Sequence, residues 1–327
     1  MPDPDFAAGE GEFAFIARHL RPLAAGHPGA LELTDDAALV EPTAGMQLVL
    51  AKDALVEGVH FLAHDAADHI AQKALRVNLS DMAAMGATPR GYLLALMRPQ
   101  RLPPEWLGRF SHGLGLDQAS FGITLLGGDT VVTPGPLTLS VTMMGEAPRG
   151  QVLRRDGARA GDDIYVSGTL GSAALGLLVL QGRLSPPMSA SDFLIRRYRL
   201  PEPRIGLGEA LRGVAHAAID ISDGLLSDLG HVLEASGRGA EIHTHRIPLS
   251  QAAAPHRGAL EAALAGGDDY ELLFSAHPEQ RPAIQAIGQQ LSLSLTVIGQ
   301  ITDGADLEIL DAKGRPYPID DAGWRHF

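Results

Sequence analysis

The chain of 327 residues contains no cysteine. Disulfides, zinc–thiolate sites, iron–sulfur clusters and cysteine nucleophiles are therefore excluded. Its longest apolar run, near residues 173–180, is far too short to span a bilayer. The first residues, Met1-Pro2-Asp3-Pro4-Asp5, are acidic and unlike a signal peptide. We therefore expect a cytoplasmic protein with no membrane partner.

Three common catalytic motifs are also missing. There is no G-x-x-x-x-G-K-[ST] loop, no G-x-G-x-x-G that follows a strand and opens a helix, and no G-x-S-x-G elbow. A Walker-type NTPase and a Rossmann dehydrogenase are disfavoured by the first two absences. The third removes the usual signal of a serine hydrolase.

The composition indicates an ordered, acidic protein. Hydrophobic residues make up 45% of the chain and charged residues 20%, which is typical of a globular fold. The 26 basic and 39 acidic residues give a net charge of −13, which argues against a nucleic-acid partner. The length favours two domains.

Strands alternate with helices along both halves, which predicts a mixed α/β fold. The predicted strands are 48–51, 92–97, 122–126, 137–145, 164–166, 217–221, 272–274 and 295–298. The predicted helices are 11–20, 70–85, 105–116, 173–181 and 223–235. A stretch rich in Gly, Pro and Arg at 146–161 predicts a linker. We therefore expect domains at 1–148 and 149–327.

Short acidic clusters, several of them beside glycine pairs, stand at the predicted ends of these elements. They are Asp35-Asp36, Asp53, Asn78 to Asp81, Gly127-Gly128-Asp129, Asp220 to Gly224 and Gly266-Gly267-Asp268-Asp269. Carboxylates repel one another unless cations lie between them. Carboxylate, phosphate and water oxygens are the ligands that Mg²⁺ prefers. The pattern therefore indicates magnesium ions that hold a polyphosphate.

The sharpest cluster is Asp220-Ile221-Ser222-Asp223-Gly224. A predicted strand brings two carboxylates to the start of a helix, where Ser222 or Asp223 can cap the helix and its free N–H groups favour an anion. An ordinary helix cap explains the same residues. Likewise, Gly127-Gly128-Asp129 is compatible with a tight turn that exposes its aspartate, and Asp35-Asp36 with a loop facing water.

Two residues outside the clusters have a functional and a structural interpretation. His60 follows Asp53 closely and is a candidate contact to a phosphate or hydroxyl group, or a partly buried imidazole with its hydrogen bonds satisfied. Trp324 is a candidate platform for a cationic heterocycle, or a packing residue. On the predicted helix over 70–85, Asn78 and Asp81 are three residues apart and are expected to face one ligand.

Five segments in order resemble the thiamine-monophosphate kinase family of the AIR-synthetase-like (PurM-like) ATP-binding superfamily. They are DALVEGVHF (53–61), KALRVNLSDMAAMGATP (73–89), GGDT (127–130), AIDISDGLLSDLGHVLEASGRGA (218–240) and GGDDYELLF (266–274). The resemblance implies an N-terminal α/β domain that forms a β-barrel with its twin in a homodimer, and a C-terminal α/β domain. It also implies transfer of the γ-phosphoryl group of ATP to thiamine monophosphate.

The resemblance also assigns roles to residues, with no covalent or general-base residue required. The implied magnesium ligands are Asp36, Asp53, Asp81, Asp129, Asp220 and Asp223. The implied ATP contacts are Gly128, Asp129, Arg155 and Ser222. The implied contacts to thiamine monophosphate are His60, Asp268 and Trp324.

Two positions depart from the family pattern. Ala51-Lys52 stands where small hydroxyl residues are usual. On an extended strand Lys52 projects opposite to Asp53, so the backbone carbonyl could still hold the metal; alternatively, the ammonium could replace a magnesium or contact phosphate. We hypothesise at least one fewer metal site than in the family pattern. Asp268 replaces the usual Glu and is one methylene shorter. Other superfamily enzymes, such as aminoimidazole ribonucleotide synthetase, and a non-catalytic nucleotide- or metal-binding regulator remain alternatives. The absence of cysteine disfavours selenophosphate synthetase and the hydrogenase-maturation relatives.

Overall fold

The computed structural model describes residues 12–319, which form two compact units. Unit 1 contains the described residues up to Met82 together with Thr88–Pro148. Unit 2 contains Ala83–Ala87 and the described residues from Arg149 onward. Helices and strands occur in both units, so the predicted mixed α/β class is confirmed. No helix within residues 12–319 has the length and apolar character that a bilayer span requires.

Unit 1 is built on a four-stranded sheet whose strands lie in the order β1-β4-β2-β3. The strands are β1 (Met46–Val56), β2 (Thr88–Pro99), β3 (Thr124–Thr133) and β4 (Thr138–Pro148). The long helices are α1 (Ala67–Ala84) and α2 (Pro104–Phe121), and short helical turns precede β1 at Glu12–Phe15, Ile16–Leu20, Arg21–Ala24 and Pro28–Leu33. β2 and β3 are parallel, whereas β4 is antiparallel to both of its neighbours.

The two faces of this sheet differ. Helix α1 lies against one of them, because a Cβ atom at Gly145 would come within 2.7 Å of Met82 Sδ. The opposite face, which we call the open face, carries the exposed apolar side chains of Leu48, Leu50 and Leu93. Val131 on β3 belongs to the same face, since it pairs with Met97, four residues beyond Leu93 on β2.

Unit 2 contains a six-stranded sheet in the order β10-β7-β9-β5-β8-β6. Its strands are β5 (Asp163–Ser167), β6 (Ala217–Asp220), β7 (Gly239–His243), β8 (Leu272–Ala276), β9 (Leu295–Thr302) and β10 (Leu307–Leu310). Its helices are α3 (Ser172–Leu180), α4 (Met188–Arg199), α5 (Ile205–Ala210), α6 (Leu225–Ser236), α7 (Ala259–Ala265) and α8 (Arg281–Leu291). Short 3-10 turns lie at Thr244–Arg246 and Pro278–Gln280.

The sheet of unit 2 is covered on both faces. On β5, Ile164 and Val166 pack in one apolar cluster with Leu229 of α6. Tyr165 points to the opposite side and packs in a second cluster with Ile284 of α8. This arrangement buries all five residues of β5.

Two of the predicted strands of unit 1 are longer than their apolar runs. β1 continues to Val56 and β3 to Thr133, so Asp53 and the Gly127-Gly128-Asp129 segment lie inside strands. The prediction that they stand at strand ends is therefore wrong. Pairing with β4 and β2 supplies backbone hydrogen bonds whatever the side chains are. The predicted linker also begins too early, since residues 146–148 belong to β4.

Candidate functional site

A cavity of about 770 Å³ in unit 1 lies over the open face of the sheet. Lys52, Ser140 and Thr142 line it from the strands, and Asp35 and Asp36 line it from the segment that follows the last helical turn. Gly127, Gly128, Asp129 and Thr130 also line it. The structure thus brings three candidate residues, Asp36, Gly128 and Asp129, around one cavity.

Gly128 is a glycine because two strands approach closely there. A Cβ atom at this position would lie 1.9 Å from the carbonyl oxygen of Leu94 on β2. Asp129 follows it, pairs with Ala95 of β2 and is exposed. Asp36 is also exposed, and its backbone N–H donates to Asp35 Oδ1 at 2.9 Å. Both carboxylates are accessible to a ligand in the cavity.

Asp53 lies on the other face of the sheet, next to α1. Its backbone N–H donates to Asn78 Oδ1 at 3.1 Å, and Asn78 Nδ2 donates to the carbonyl oxygen of Ala74 at 3.0 Å. The Asn78 side chain is buried and joins β1 to α1, so the expectation that it faces a ligand is wrong. Asp81 follows Asn78 on α1 and is half-buried.

Asp53 and Asp129 belong to the two edge strands of the sheet. β1 and β3 are separated by β4 and β2, and three strand spacings amount to about 14 Å. Magnesium binds carboxylate oxygen at about 2.0–2.1 Å. One ion therefore cannot contact Asp53 and Asp129 of the same chain.

His60 has one of its ring nitrogens committed to the backbone. Its Nδ1 accepts a hydrogen bond from the N–H of Val56 at 3.0 Å, so the neutral ring carries its proton on Nε2. The carbonyl oxygen of His60 accepts from Nζ of the buried Lys73 on α1 at 2.9 Å. These bonds fix a half-buried imidazole, as its structural interpretation expected, and they make Nε2 the ring's hydrogen-bond donor.

In unit 2, two loops that carry candidate residues lie side by side. Asp220 ends β6 and pairs with Leu272 of β8, which brings residues 221–224 next to residues 267–271. The N–H groups of Asp268 and Tyr270 donate to the carbonyl oxygens of Ser222 and Ile221 at 2.9 and 2.8 Å. Asp220, Ser222, Asp223 and Asp268 are therefore neighbours.

The Asp268 loop is held in an unusual backbone conformation. Asp268 and Tyr270 have φ values of 69° and 51°, in the left-handed region that costs energy for residues other than glycine. Between them, Asp269 is buried and accepts from the N–H of Gly171 at 2.6 Å, at the start of α3. Burial raises the pKa of Asp269 to about 7, although this hydrogen bond and the charge of Arg197 lower it.

A buried ion network lies behind the same loop. Glu271 accepts from Arg197 at 3.0 Å, from Arg204 at 2.6 Å and from the hydroxyl of Ser167 at 2.6 Å. Arg197 also donates to the carbonyl oxygen of Asp269 at 3.2 Å. The network joins α4, β5 and the Asp268 loop.

Asp228 on α6 is a residue that the sequence analysis missed. Its Oδ2 accepts from the N–H groups of Ser222, Asp223 and Gly224 at 3.0, 3.1 and 3.2 Å. Burial raises the pKa of Asp228 to about 7, with a further increase from the charges of Asp220 and Asp223. Helix α6 begins after Gly224 without a side-chain cap from the preceding residue, so the predicted cap by Ser222 or Asp223 is wrong.

A signal for Asp228 was present in the sequence. The residue lies on the same stripe of α6 as Leu225, Leu229 and Val232, all of which are buried. A carboxylate on an apolar stripe is rarely buried without partners. The pattern would have predicted a buried acid with hydrogen-bond donors nearby.

Two candidate residues, Arg155 and Trp324, are not among the residues described above for the cavity of unit 1 or for the two neighbouring loops of unit 2. Arg155 is exposed in an irregular segment, and its carbonyl oxygen accepts from the hydroxyl of Ser236 at 3.0 Å. Trp324 lies outside the described residues, so its assignment stays a prediction.

Both units match domains of one superfamily. Residues 34–147 match the AIR synthase related protein, N-terminal domain, and residues 159–311 match the C-terminal domain of the same family. Across 98% of its length the chain is 44% identical to the thiamine-monophosphate kinase of Caulobacter vibrioides, and it covers 92% of that protein. The chain belongs to the thiamine-monophosphate kinase family. This finding and the two-domain α/β structure confirm the family and fold class that the resemblance implied.

Solved structures of the family share this fold. The thiamine-monophosphate kinase from Stenotrophomonas maltophilia K279a matches with a TM-score of 0.81 and 45% identity, covering 87% of this chain and 90% of that one. AaThiL, complexed with AMPPCP and TMP, matches with a TM-score of 0.78 and 33% identity, covering 90% of this chain and 91% of that one.

The donor atoms of the candidate site suit the magnesium that the family resemblance implied. Its acidic residues offer carboxylate oxygens, which Mg²⁺ prefers over nitrogen or sulfur. Within residues 12–319, however, no three acidic or histidine side chains are already arranged to hold an ion.

Proposed function

We propose that this chain is a kinase that transfers the γ-phosphoryl group of ATP to thiamine monophosphate and forms thiamine diphosphate and ADP. The observation that carries the proposal is 44% identity, over nearly the full length of both chains, to a thiamine-monophosphate kinase. The relative that is complexed with AMPPCP and TMP supports the same pair of substrates, because AMPPCP is an analogue of ATP.

The proposed site residues act by holding charge and position. Phosphoryl transfer needs in-line placement and neutralisation of negative charge, and the phosphate oxygen of the acceptor needs no general base. Asp36, Asp53, Asp81, Asp129, Asp220 and Asp223 would hold the Mg²⁺ ions, which reduce the repulsion between the two anionic substrates. Gly128, Asp129, Arg155 and Ser222 would contact ATP, and His60, Asp268 and Trp324 would contact thiamine monophosphate.

A coupled assay tests the reaction. Purified protein is incubated with ATP, Mg²⁺ and thiamine monophosphate, and ADP and thiamine diphosphate are quantified together. We expect equal amounts of both products and no turnover of free thiamine or of aminoimidazole precursors. Binding of ATP without any product would instead support a regulator.

Two matched variants, one in each unit, test the site residues. Asp129→Asn and Asp220→Asn should each lower turnover by about 10²–10³-fold, since each removes one charge that faces a metal or phosphate. The melting temperature of the metal-free protein should stay close to that of the wild type, because fewer carboxylates repel one another. A sharp fall in melting temperature would contradict the assignment.

We also propose that the active form is a homodimer in which the open faces of unit 1 from two copies meet. Leu50 is 66% exposed on this face although it lies in a regular strand, and Leu93 and Val131 extend the apolar surface. β1 and β3 are the two edge strands of the sheet, which a second copy can extend. Such pairing would place β1 of one copy beside β3 of the other, so that Asp53 of one copy and Asp129 of the other lie on neighbouring strands.

The oligomeric state tests this arrangement. We expect light scattering to give twice the mass of one chain, and Leu50→Glu to give a folded monomer with little kinase activity. An active monomeric wild type would contradict the dimer and leave the proposed reaction intact.

A further inference from the structure

Asp228 holds the backbone of a proposed ligand loop and does not line it. It is the fourth residue of α6 and only 2% exposed. Its surroundings on the helix are apolar, with Leu225 and Leu229 both buried. A carboxylate in such a place is costly unless it accepts several hydrogen bonds.

All three hydrogen bonds given above reach the same oxygen, Oδ2, from consecutive backbone N–H groups. They belong to the segment just ahead of α6, where free N–H groups could otherwise donate to an anion. Because Asp228 accepts from them, they are turned toward the protein interior. These three N–H groups are therefore not available to an anion.

The charge of Asp228 also disfavours an anion at this loop. The N-terminus of a helix has a partial positive charge of roughly half an elementary charge. When Asp228 is ionised, its carboxylate inside the first turn offsets that charge, and Asp220 and Asp223 add two more acidic groups within a few residues. The loop is therefore favourable for a cation.

We propose that Asp228 is a positioning residue that fixes residues 222–224 and makes this loop a site for a divalent cation instead of a phosphate. The inference rests on the proposed function only in naming that cation as the one that accompanies ATP. Its role is to position the loop, since its Oδ2 is occupied by three backbone N–H groups.

A buried aspartate without such a role offers a matched control. Asp117 of unit 1 is fully buried and accepts from Arg76 Nε at 2.7 Å and from Gln72 at 2.8 Å. It joins α2 to α1 and has no bond to a candidate site residue. Loss of its charge should affect stability alone.

The experiment compares Asp228→Asn, Asp228→Ala and Asp117→Asn in the full chain. Mn²⁺ binding is titrated by electron paramagnetic resonance, with and without AMPPCP, and amide hydrogen exchange is followed for peptides that cover residues 221–225. Asp228→Asn removes the charge and keeps an acceptor oxygen, so we expect Mn²⁺ affinity to fall about 10–100-fold. Asp228→Ala should also increase exchange in the 221–225 peptides.

We expect Asp117→Asn to leave Mn²⁺ affinity and exchange at 221–225 unchanged even where its melting temperature falls. Mn²⁺ affinity of Asp228→Asn within twofold of wild type would overturn the proposal, as would a wild type that binds no Mn²⁺. Wild-type protein that binds Mn²⁺ but forms no thiamine diphosphate would contradict the proposed function and leave the role of Asp228 standing.

Discussion

In unit 1 the Gly-Gly-Asp segment at 127–129 runs inside β3, whereas in unit 2 the segment at 266–268 forms an irregular loop ahead of β8. The second glycine has the same purpose in both. A Cβ atom at Gly128 would lie 1.9 Å from Leu94 O, and one at Gly267 would lie 2.4 Å from Ser222 O. A shared motif therefore marks close backbone approach in both units and not a shared secondary structure.

The two segments are stabilised by different forces. Backbone pairing with β2 is sufficient to hold Asp129 in place, and its side chain is exposed over the cavity. The loop of Asp268 depends on buried charged groups, with Asp269 and Glu271 both about 1% exposed. Unit 1 thus presents candidate residues on a sheet, while unit 2 holds an irregular loop by an internal ion network.

The largest expected difference concerns that network. Glu271→Ala leaves Arg197 and Arg204 without their buried partner and should lower the free energy of unfolding by about 3–5 kcal/mol. The matched change in unit 1 is Arg109→Ala, which breaks the exposed pair with Asp68 at 3.3 Å and should cost at most about 1 kcal/mol. Urea denaturation of the two variants measures both. Equal losses in the free energy of unfolding would mean that the buried network of unit 2 contributes no more to stability than an exposed ion pair.

The next prediction concerns the number of metal ions in unit 1. Lys52 lies on the open face, with Nζ 3.4 Å from Thr142 Oγ1, and lines the cavity with Asp36 and Asp129. If its ammonium replaces one ion, Lys52→Thr should bind one more Mn²⁺ per chain in the presence of AMPPCP. Lys52→Met, which adds no oxygen ligand, is the control. An unchanged Mn²⁺ count in Lys52→Thr would contradict the predicted loss of a metal site.

Local sequence patterns were sufficient to predict an element where its apolar residues recur with the period of a helix or strand. Leu75, Leu79 and Met82 recur at helical spacing within the predicted helix over 70–85, and all three are buried on α1. The ends of β1 and β3 could not be predicted, because Lys52 and the glycine pair interrupt the apolar alternation while the neighbouring strands continue the pairing. Pairing between distant segments has no local signal.

The lack of a local signal for contacts between separate segments also explains which site residues the sequence did not reveal. The acidic clusters were visible in the sequence, and the family resemblance supplied their roles. The buried partners were not visible, because Asp228, Arg197 and Glu271 gain their importance from contacts 4 to 104 residues away. Helix α4, which contributes Arg197, has a sequence too polar to stand out as a core element.

A smaller effect is expected when Asp269 is replaced by Asn, in the pH dependence of the free energy of unfolding. Burial raises the pKa of Asp269 to about 7 in the folded chain, compared with an ordinary value of 3.8. Between these values the folded state holds more protons, so raising the pH lowers the free energy of unfolding, by at most about 1.4 kcal/mol per pH unit for one group. Asp269→Asn should reduce the slope of the free energy of unfolding against pH between pH 4 and 7. Above pH 7 the slope should be the same as in the wild type. An unaltered slope in urea titrations would contradict the raised pKa.

The smallest expected effect separates backbone strain from ligand binding at Asp268. Its φ of 69° suits glycine better than alanine, so Asp268→Gly should be more stable than Asp268→Ala by about 1 kcal/mol. Both variants remove the carboxylate that is proposed to contact thiamine monophosphate, and both should raise KM for thiamine monophosphate more than KM for ATP. The corresponding pair at Asp129, where the backbone is a regular strand, should show the opposite order of stability, since glycine weakens strands. The same order at both positions would mean that the left-handed conformation of Asp268 contributes no strain.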